Sequence, residues 1–384
     1  MSTFDSDLRA CLLDSDLRAC LLQYVSLKTT SRVDSVVLNG TEFARPEPAA
    51  KGQDMQHFEE WDFGQGTWIF AMILDGHGGI SSDLKLNDAA EFIHSELPPL
   101  IKAAVAARLA ATRSHCLPDA DMAKILSDNL VALDDRIKDD VIAALADESM
   151  PNRDILLGRA VTGTTACVAV VDPSRRVHVA NIGDSDCYLV SGTTKEAAHL
   201  TPHQSCTNPA EKQRILDEHP NESSSDLFHA RRLFGRLIPS RGIGDFPLKL
   251  AAPEVKKLLL WMNMAGVDVE TDSAVLHNHT PPYLSNKPDI IHVQANEGDF
   301  LVLASDGLGS QVWFMNDGDN SVETVGRVCA AGLVDQPRSG FNAALEIIWQ
   351  AWLGVVDCHL YRLVVDKYSP SGRVDDIAIV VGRL

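Results

Sequence analysis

The sequence predicts an α+β fold, in which strands and helices are grouped rather than alternating. Short apolar runs rich in Ile, Val and aromatic residues recur at 68–74, 177–182, 300–304 and 377–381, as expected of strands buried on both faces. Helical spacing gathers chiefly in two clusters, over 81–145 and 322–353. Strict strand-helix-strand alternation is scarce, which disfavours a parallel doubly wound sheet.

At the N-terminus the nine residues 5–13 are repeated without change at 14–22. A period of nine fits no solenoid, so residues 1–30 read as a short amphipathic arm and 31–384 as one domain, with no Pro/Gly/Ser-rich linker inside it. A first strand is expected at 35–38. Residues 40–66 are polar, contain Pro46, Pro48 and several glycines, and read as a loop. A helix over 81–97 should stop at Pro98-Pro99, with further helices at 101–111 and 121–145, the last with Met122, Leu126, Leu130, Leu133 and Ile137 on one face. Strands at 164–171 and 176–180 flank Asp172-Pro173-Ser174 as a hairpin would. Residues 187–190 and 233–238 read as strands, 211–218 and 253–264 as helices, 267–286 as loop, and 322–333 and 342–353 as the last helices.

The chain of 384 residues is 45% hydrophobic and 23% charged, enough apolar content for a sizeable core. A formal charge of −19 argues against nucleic acid or an anionic membrane as a main partner, since both need a basic surface. Eight scattered cysteines form no Cys-x-x-Cys pair, so neither a zinc ribbon nor a disulfide scaffold is expected. No apolar run approaches the roughly 18 residues of a membrane span. Four Asp and two Arg in the first 22 residues do not resemble an acid-poor mitochondrial presequence.

The candidate chemistry sits at strand tips. Residues 68–74 end in Asp75-Gly76-His77-Gly78-Gly79, 177–182 end in Gly183-Asp184, 300–304 end in Ser305-Asp306-Gly307, and Asp375-Asp376 lead into 377–381. Alone, an Asp-Gly after an apolar run is also a hairpin signal. Four aspartates at strand ends instead suggest carboxylates converging at one sheet edge, where like charges repel unless a cation lies between them. His199, His203, His219, His277, His279 and His292 show no spacing that demands a metal.

Together with Gly163-Thr164-Thr165-Ala166 and Ser240-Arg241-Gly242-Ile243-Gly244-Asp245, these stretches resemble, in order, the motifs of the metal-dependent protein phosphatase family, the type 2C serine/threonine phosphatases. Residues 216–220, 231–245 and 280–306 look most like the pyruvate dehydrogenase phosphatase branch. The resemblance implies a central β-sandwich of two mostly antiparallel sheets with helices on both outer faces. It also implies a binuclear Mg²⁺ or Mn²⁺ site, with a weak third ion. By motif position Asp75 would bridge the two ions, the Gly76 carbonyl would bind one, Asp306 and Asp375 would bind the other, Asp184 would serve the third, and His77 would be the general acid. Carboxylates, a carbonyl and water form a hard-oxygen set suited to these ions rather than zinc or copper.

Two departures stand out. The family's Glu-Asp pair, preceded by a phosphate-holding arginine, finds its nearest match in Arg32-Val33-Asp34, leaving Asp34 as a ligand, Arg32 for phosphate, and Val33 where the glutamate belongs. Ser310 stands where the family carries an acid beside the third metal. The function implied is metal-dependent hydrolysis of phosphoserine and phosphothreonine in protein substrates by a monomer; the alternative is a weakened pseudophosphatase acting as a phosphoprotein-binding scaffold. The branch resemblance points to the mitochondrion and the acidic N-terminus to the cytoplasm.

Overall fold

The computed structural model describes residues 25–30, 32–38, 53–64, 66–78, 89–264, 278–316, 318–333, 342–351 and 375–384. Two antiparallel sheets stack face to face. The first runs, edge to edge, Val25–Thr29, Val33–Leu38, Ile377–Arg383, Phe300–Ala304, Asp186–Val190 and Ala197–His199. The second runs Asp289–Gln294, Arg176–Ile182, Ala166–Val171, Thr67–Leu74 and Met55–Asp62.

The two-residue period of a strand decides where each side chain goes. Along Thr67–Leu74, Ile69, Ala71 and Ile73 enter the core between the sheets, while Trp68, Phe70, Met72 and Leu74 face helices. Both faces are covered, so the run is apolar without interruption. Ala89–Thr112, Asp119–Ala146, Arg153–Val161 and Ala252–Met264 cover the second sheet. Asp306–Met315, Val322–Gly332 and Ala343–Ala351 cover the first. The layers are therefore helix, sheet, sheet, helix, the α+β sandwich expected.

Several elements differ from the sequence expectation. The 40–66 loop contains the strand Met55–Asp62, an edge strand whose polar residues mask its period although Trp61 is buried on the helix side and Phe58 packs between the sheets. The helix Ala89–Thr112 continues through Pro98 and Pro99. An interior proline costs about 3 kcal/mol or more. Burying Phe92, Ile93, Leu97, Ile101, Val105 and Leu109 on one stripe contributes about 1.5–3 kcal/mol each and outweighs it. Residues 233–238 form no long strand; Leu233 ends the small hairpin Phe228–His229 with Arg232–Leu233 and forms a single bridge with Leu237. Val25–Thr29 pairs with Val33–Leu38, so the sandwich begins before residue 31. The duplicated nonapeptide, residues 79–88 and His277 lie outside the described residues.

The first strand pair also relocates a candidate site. Val33 and Asp34 pair with Gly382 and Val381, and Arg383 N donates to the Arg32 carbonyl. Asp375 is six residues back along that strand, so at ~3.3 Å per residue Arg32 and Asp34 sit ~20 Å away, at the opposite end of the sandwich. Asp34 Oδ2 instead accepts from Ala343 N at 3.0 Å, capping the helix Ala343–Ala351. Arg32 and Asp34 are thus corrected from site residues to structural ones. Val33, 1% exposed, lies in the core between the sheets. Val33→Glu should therefore destabilise the fold by about 3 kcal/mol or more, read in a denaturant melt, because it buries an unpaired carboxylate.

Candidate metal centre

Five strands bring aspartates to one end of the sandwich. Asp54 precedes Met55–Asp62, Asp75 follows Thr67–Leu74, Asp184 follows Arg176–Ile182, Asp306 follows Phe300–Ala304, and Asp375 and Asp376 precede Ile377–Arg383. The pairing of Met55 with Leu74 sets Asp54 beside Asp75. Gln53 N donates to Asp376 Oδ2 at 2.9 Å, tying that edge to the last strand.

Their electrostatics record the convergence. Burial, then the charges of Asp306, Asp54 and Asp184, push the Asp75 carboxyl well above the usual carboxylate range. Burial and the charges of Asp376, Asp375 and Asp306 do the same to Asp54, against a lowering hydrogen bond with Ser305. Asp184 is raised to about 7 by burial and Asp306. Asp375 also rises to about 7, its carboxyl desolvated against Asp306 and Asp376 although the residue as a whole is exposed. Among the described residues no lysine or arginine forms an ion pair with Asp54, Asp75, Asp184, Asp306 or Asp375. Asp54 Oδ2 is buried without a hydrogen-bond partner. Hard divalent cations fit such a set: all donors are oxygens, and the charge they would neutralise is otherwise uncompensated.

The surrounding motifs brace these tips. Thr165 N and Thr164 Oγ1 donate to the Asp75 carbonyl at 2.9 and 3.1 Å, and Thr165 Oγ1 bonds Ser185 Oγ at 2.9 Å. Gly183 takes φ +108 against the Thr165 side chain, leaving no room for a Cβ. Its N–H donates to Gln204 Oε1 at 2.8 Å. Asp306 opens the helix Asp306–Met315, where the positive end of the helix dipole favours a carboxylate. A Cβ at Gly307 would strike the Asp376 carbonyl oxygen, which is why that helix can start so close to the last strand.

His77 sits on the two-residue strand Gly76–His77, which pairs with Gly163–Thr164. Its Nε2 donates to Asp245 Oδ2 at 2.7 Å. Burial opposes the imidazolium, but the charge and hydrogen bond of Asp245, with the charges of Asp184 and Asp306, raise its pKa overall. Asp245 is held at φ 50 with its N–H on the Thr162 carbonyl. Behind it, the buried Asp134 accepts from Gly244 N and from Lys249 Nζ, each at 2.8 Å. Arg241 pairs with Glu211 and Asp289, and Glu211, desolvated yet bonded by Arg241, Arg214 and Ser240, drops to about 2.

Asp75, Gly76, His77, Asp184, Asp306 and Asp375 are thus brought together as the motifs imply, whereas Arg32 and Asp34 are not. Sequence reading gave Asp376 and Asp245 no role of their own beyond their motifs, and left Asp54 in a loop. For Asp54 the usable signal was the turn 62–67: a hairpin closed there puts the residue before one strand beside the residue after the other. A cavity of about 400 Å³ opens beside Asp184 and Asp306, lined also by His203, Arg231, Arg232 and Ser310.

Known proteins agree with this architecture. Residues 49–313 match the family model described as Protein phosphatase 2C. The human mitochondrial [pyruvate dehydrogenase [acetyl-transferring]]-phosphatase 2 is 34% identical over 201 residues, 50% of this chain and 36% of that protein. A protein phosphatase 2C homolog of Schizosaccharomyces pombe is 28% identical over 274 residues, 68% of this chain and 56% of its own length. The chain thus spans about a third of the human relative. The solved structure of a C. elegans sex determining protein shares the fold, with a TM-score of 0.52 at 19% identity over 92% of this chain and 65% of that one. With its family motifs converging on one acidic centre, the chain belongs to the protein phosphatase 2C family.

Proposed function

We propose that the protein is a metal-dependent serine/threonine phosphatase acting on phosphoproteins. The observation that carries this is the group of converging aspartates, Asp54 and Asp184 buried among them, with no basic partner among the described residues. Asp75, the Gly76 carbonyl, Asp54, Asp306 and Asp375 would hold two Mg²⁺ or Mn²⁺ ions, with Asp184 serving a weaker third. Bound there, the ions would supply an activated water and neutralise the phosphoryl oxygens. His77 acts as general acid: Asp245 fixes Nε2 and favours the imidazolium, which leaves the Nδ1 proton for the departing serine or threonine oxygen. Hydrolysis of p-nitrophenyl phosphate that requires manganese and stops in EDTA tests the reading; full turnover in excess chelator overturns it. The name of the human relative makes phosphorylated pyruvate dehydrogenase the first protein substrate to try. That relative is mitochondrial, and imaging the chain tagged after its last residue, with Met1 as its start, tests whether this location carries over.

Gln53-Asp54 is our revised counterpart of the family's Glu-Asp pair. A Cβ on Gly76 would meet the Gln53 carbonyl oxygen and Cβ, so Gln53 lies directly against the Gly76 turn. A neutral amide there removes one negative charge from the centre, and this favours the second reading, a weakened phosphoprotein binder. Gln53→Glu should lower the manganese concentration for half-maximal binding by about tenfold or more, roughly one charge-assisted ligand, read by calorimetric titration. An unchanged titration would mean that the Gln53 side chain does not reach the ions.

The His77 pair depends on a glycine. A Cβ at Gly163 would overlap both Asp245 Oδ2 and His77 Nε2. Gly163→Ala should therefore separate the pair and lower turnover of a phosphopeptide by about 10²-fold, the usual contribution of one general acid. The loss should be much smaller on p-nitrophenyl phosphate, whose leaving group scarcely needs a proton. Equal losses on both substrates would assign the pair a structural role.

A further inference from the structure

A second cluster of metal-ligating side chains lies on the outer face of the first sheet. Asp186 opens the strand Asp186–Val190, immediately after the Gly183-Asp184-Ser185 turn. His199 ends the edge strand beside it, in register with Tyr188, and His203 follows in the next loop. The Nε2 atoms of both histidines lie 2.7 Å from one and the same oxygen, Asp186 Oδ1. All three ligand atoms lie within 4.8 Å of one another.

A buried carboxylate needs only one imidazole to be paired, yet here two are aimed at a single oxygen of a side chain 4% exposed. That is how three donors stand around a shared centre. The cluster is open on one side, where His203 borders the cavity. Tyr188, on the same sheet face, packs against His199 with ring centroids 4.8 Å apart and planes tilted by 40°, and borders the cavity too. Its hydroxyl is buried with no hydrogen-bond partner. No arginine or lysine among the described residues pairs with Asp186, whose charge is met by its two imidazoles alone, His203 being raised to about 8 by its hydrogen bond to that carboxylate. The other His/Asp group is different: Arg176 grips Asp119 of the Asp119, His178 and His292 group through two nitrogens, at 3.0 and 2.5 Å. That cation occupies the charge a metal would use.

We propose that Asp186, His199 and His203 form a binding site for a first-row transition-metal dication of the zinc class, distinct in donor set from the all-oxygen aspartate centre across the cavity. Two imidazoles and one carboxylate, with remaining positions open to solvent, suit Zn²⁺, Co²⁺ or Fe²⁺ far better than Mg²⁺. Each histidine must present an unprotonated Nε2, so binding releases protons and strengthens as pH rises. The inference does not rest on the phosphatase reading and its test needs no turnover.

The 384-residue chain is stripped with chelator, supplied with excess Mg²⁺ to fill the hard-oxygen centre, and titrated with Co²⁺. The expected result is one equivalent of a saturable visible d–d band, displaced by Zn²⁺. Changing a direct ligand should cost at least as much as the 10–100-fold typical of an outer-shell partner, so His203→Ala, His199→Ala and Asp186→Asn should each weaken binding by about 10²-fold or more. Asp306→Asn and His292→Ala should leave the band intact. A band that survives His203→Ala, or disappears in Asp306→Asn, overturns the assignment, as does no band at all. X-ray absorption of one zinc equivalent bound to the unmutated protein is independent of how the variants fold. Two imidazoles in the zinc shell are expected, and an oxygen-only shell overturns the site.

Discussion

Asp306→Asn should eliminate turnover while leaving the fold intact. The residue is fixed from both sides: Ser305 N donates to the Ala378 carbonyl, Ala378 N donates to Ser305 Oγ, both at 3.0 Å, and Gly307 abuts Asp376. Asparagine keeps the shape and the helix start but removes the charge that acts on Asp54, Asp75, Asp184 and Asp375 alike. Outer-shell changes at metal sites already cost about 10–100-fold, so loss of a carboxylate inside the group should cost at least roughly 10²-fold in turnover, with a matching rise in the manganese requirement. In chelator the variant should melt no lower than the unmutated protein, because one repelling charge is gone. In saturating manganese it should melt lower, because the ion it binds less well stabilises it less. Activity equal to that of the unmutated protein would remove Asp306 from the ligand set, and a lower melting temperature in chelator would make its role structural.

In chelator the protein should also lose stability steeply as pH rises from about 4 to about 7. A carboxyl whose folded-state pKa lies above its unfolded value binds its proton more tightly when folded, so this contribution is present below the unfolded value and lost through the folded one. Asp184 and Asp375 each reach about 7, and Asp54 and Asp75 shift the same way. For the buried Asp184 a carboxyl moved from the ordinary range to about 7 corresponds to ~4 kcal/mol, and the exposed Asp375 contributes less because water screens it. The four share their mutual repulsion, so the total is less than their sum. Glu211 acts in the opposite direction: held at about 2, it stabilises above its unfolded value and is lost as pH falls through the acid range. Metal-free protein should accordingly be most stable near about pH 4, and saturating Mg²⁺ or Mn²⁺ should flatten the alkaline side by taking over from the protons. Denaturant melts across pH, with and without metal, measure this. A metal-free curve that rises toward pH 8 would contradict the mutual burial of these carboxylates.

The sequence alone determined the strand runs, the aspartates at their tips and the class of chemistry they imply, because these are local properties. An apolar run such as 68–74, short and rich in Ile and aromatic residues, suits a strand covered on both faces, and glycine after its terminal aspartate permits a close approach wherever the strand lies. The tertiary structure alone decided which acids share the centre. Arg32-Val33-Asp34 matched a motif in one dimension, but antiparallel pairing carries those residues to the far end of the sandwich, while the edge strand Met55–Asp62, disguised by its solvent-facing polar residues, delivers Asp54 to Asp75. The partners of His77 and Asp186 were equally invisible in the sequence. His77 meets Asp245 across 168 positions, and Asp186 gathers two histidines only because one follows from an edge strand and the other from the loop after it. Register and strand order are set by burial summed over whole sheets, so no window of sequence around a single residue contains them.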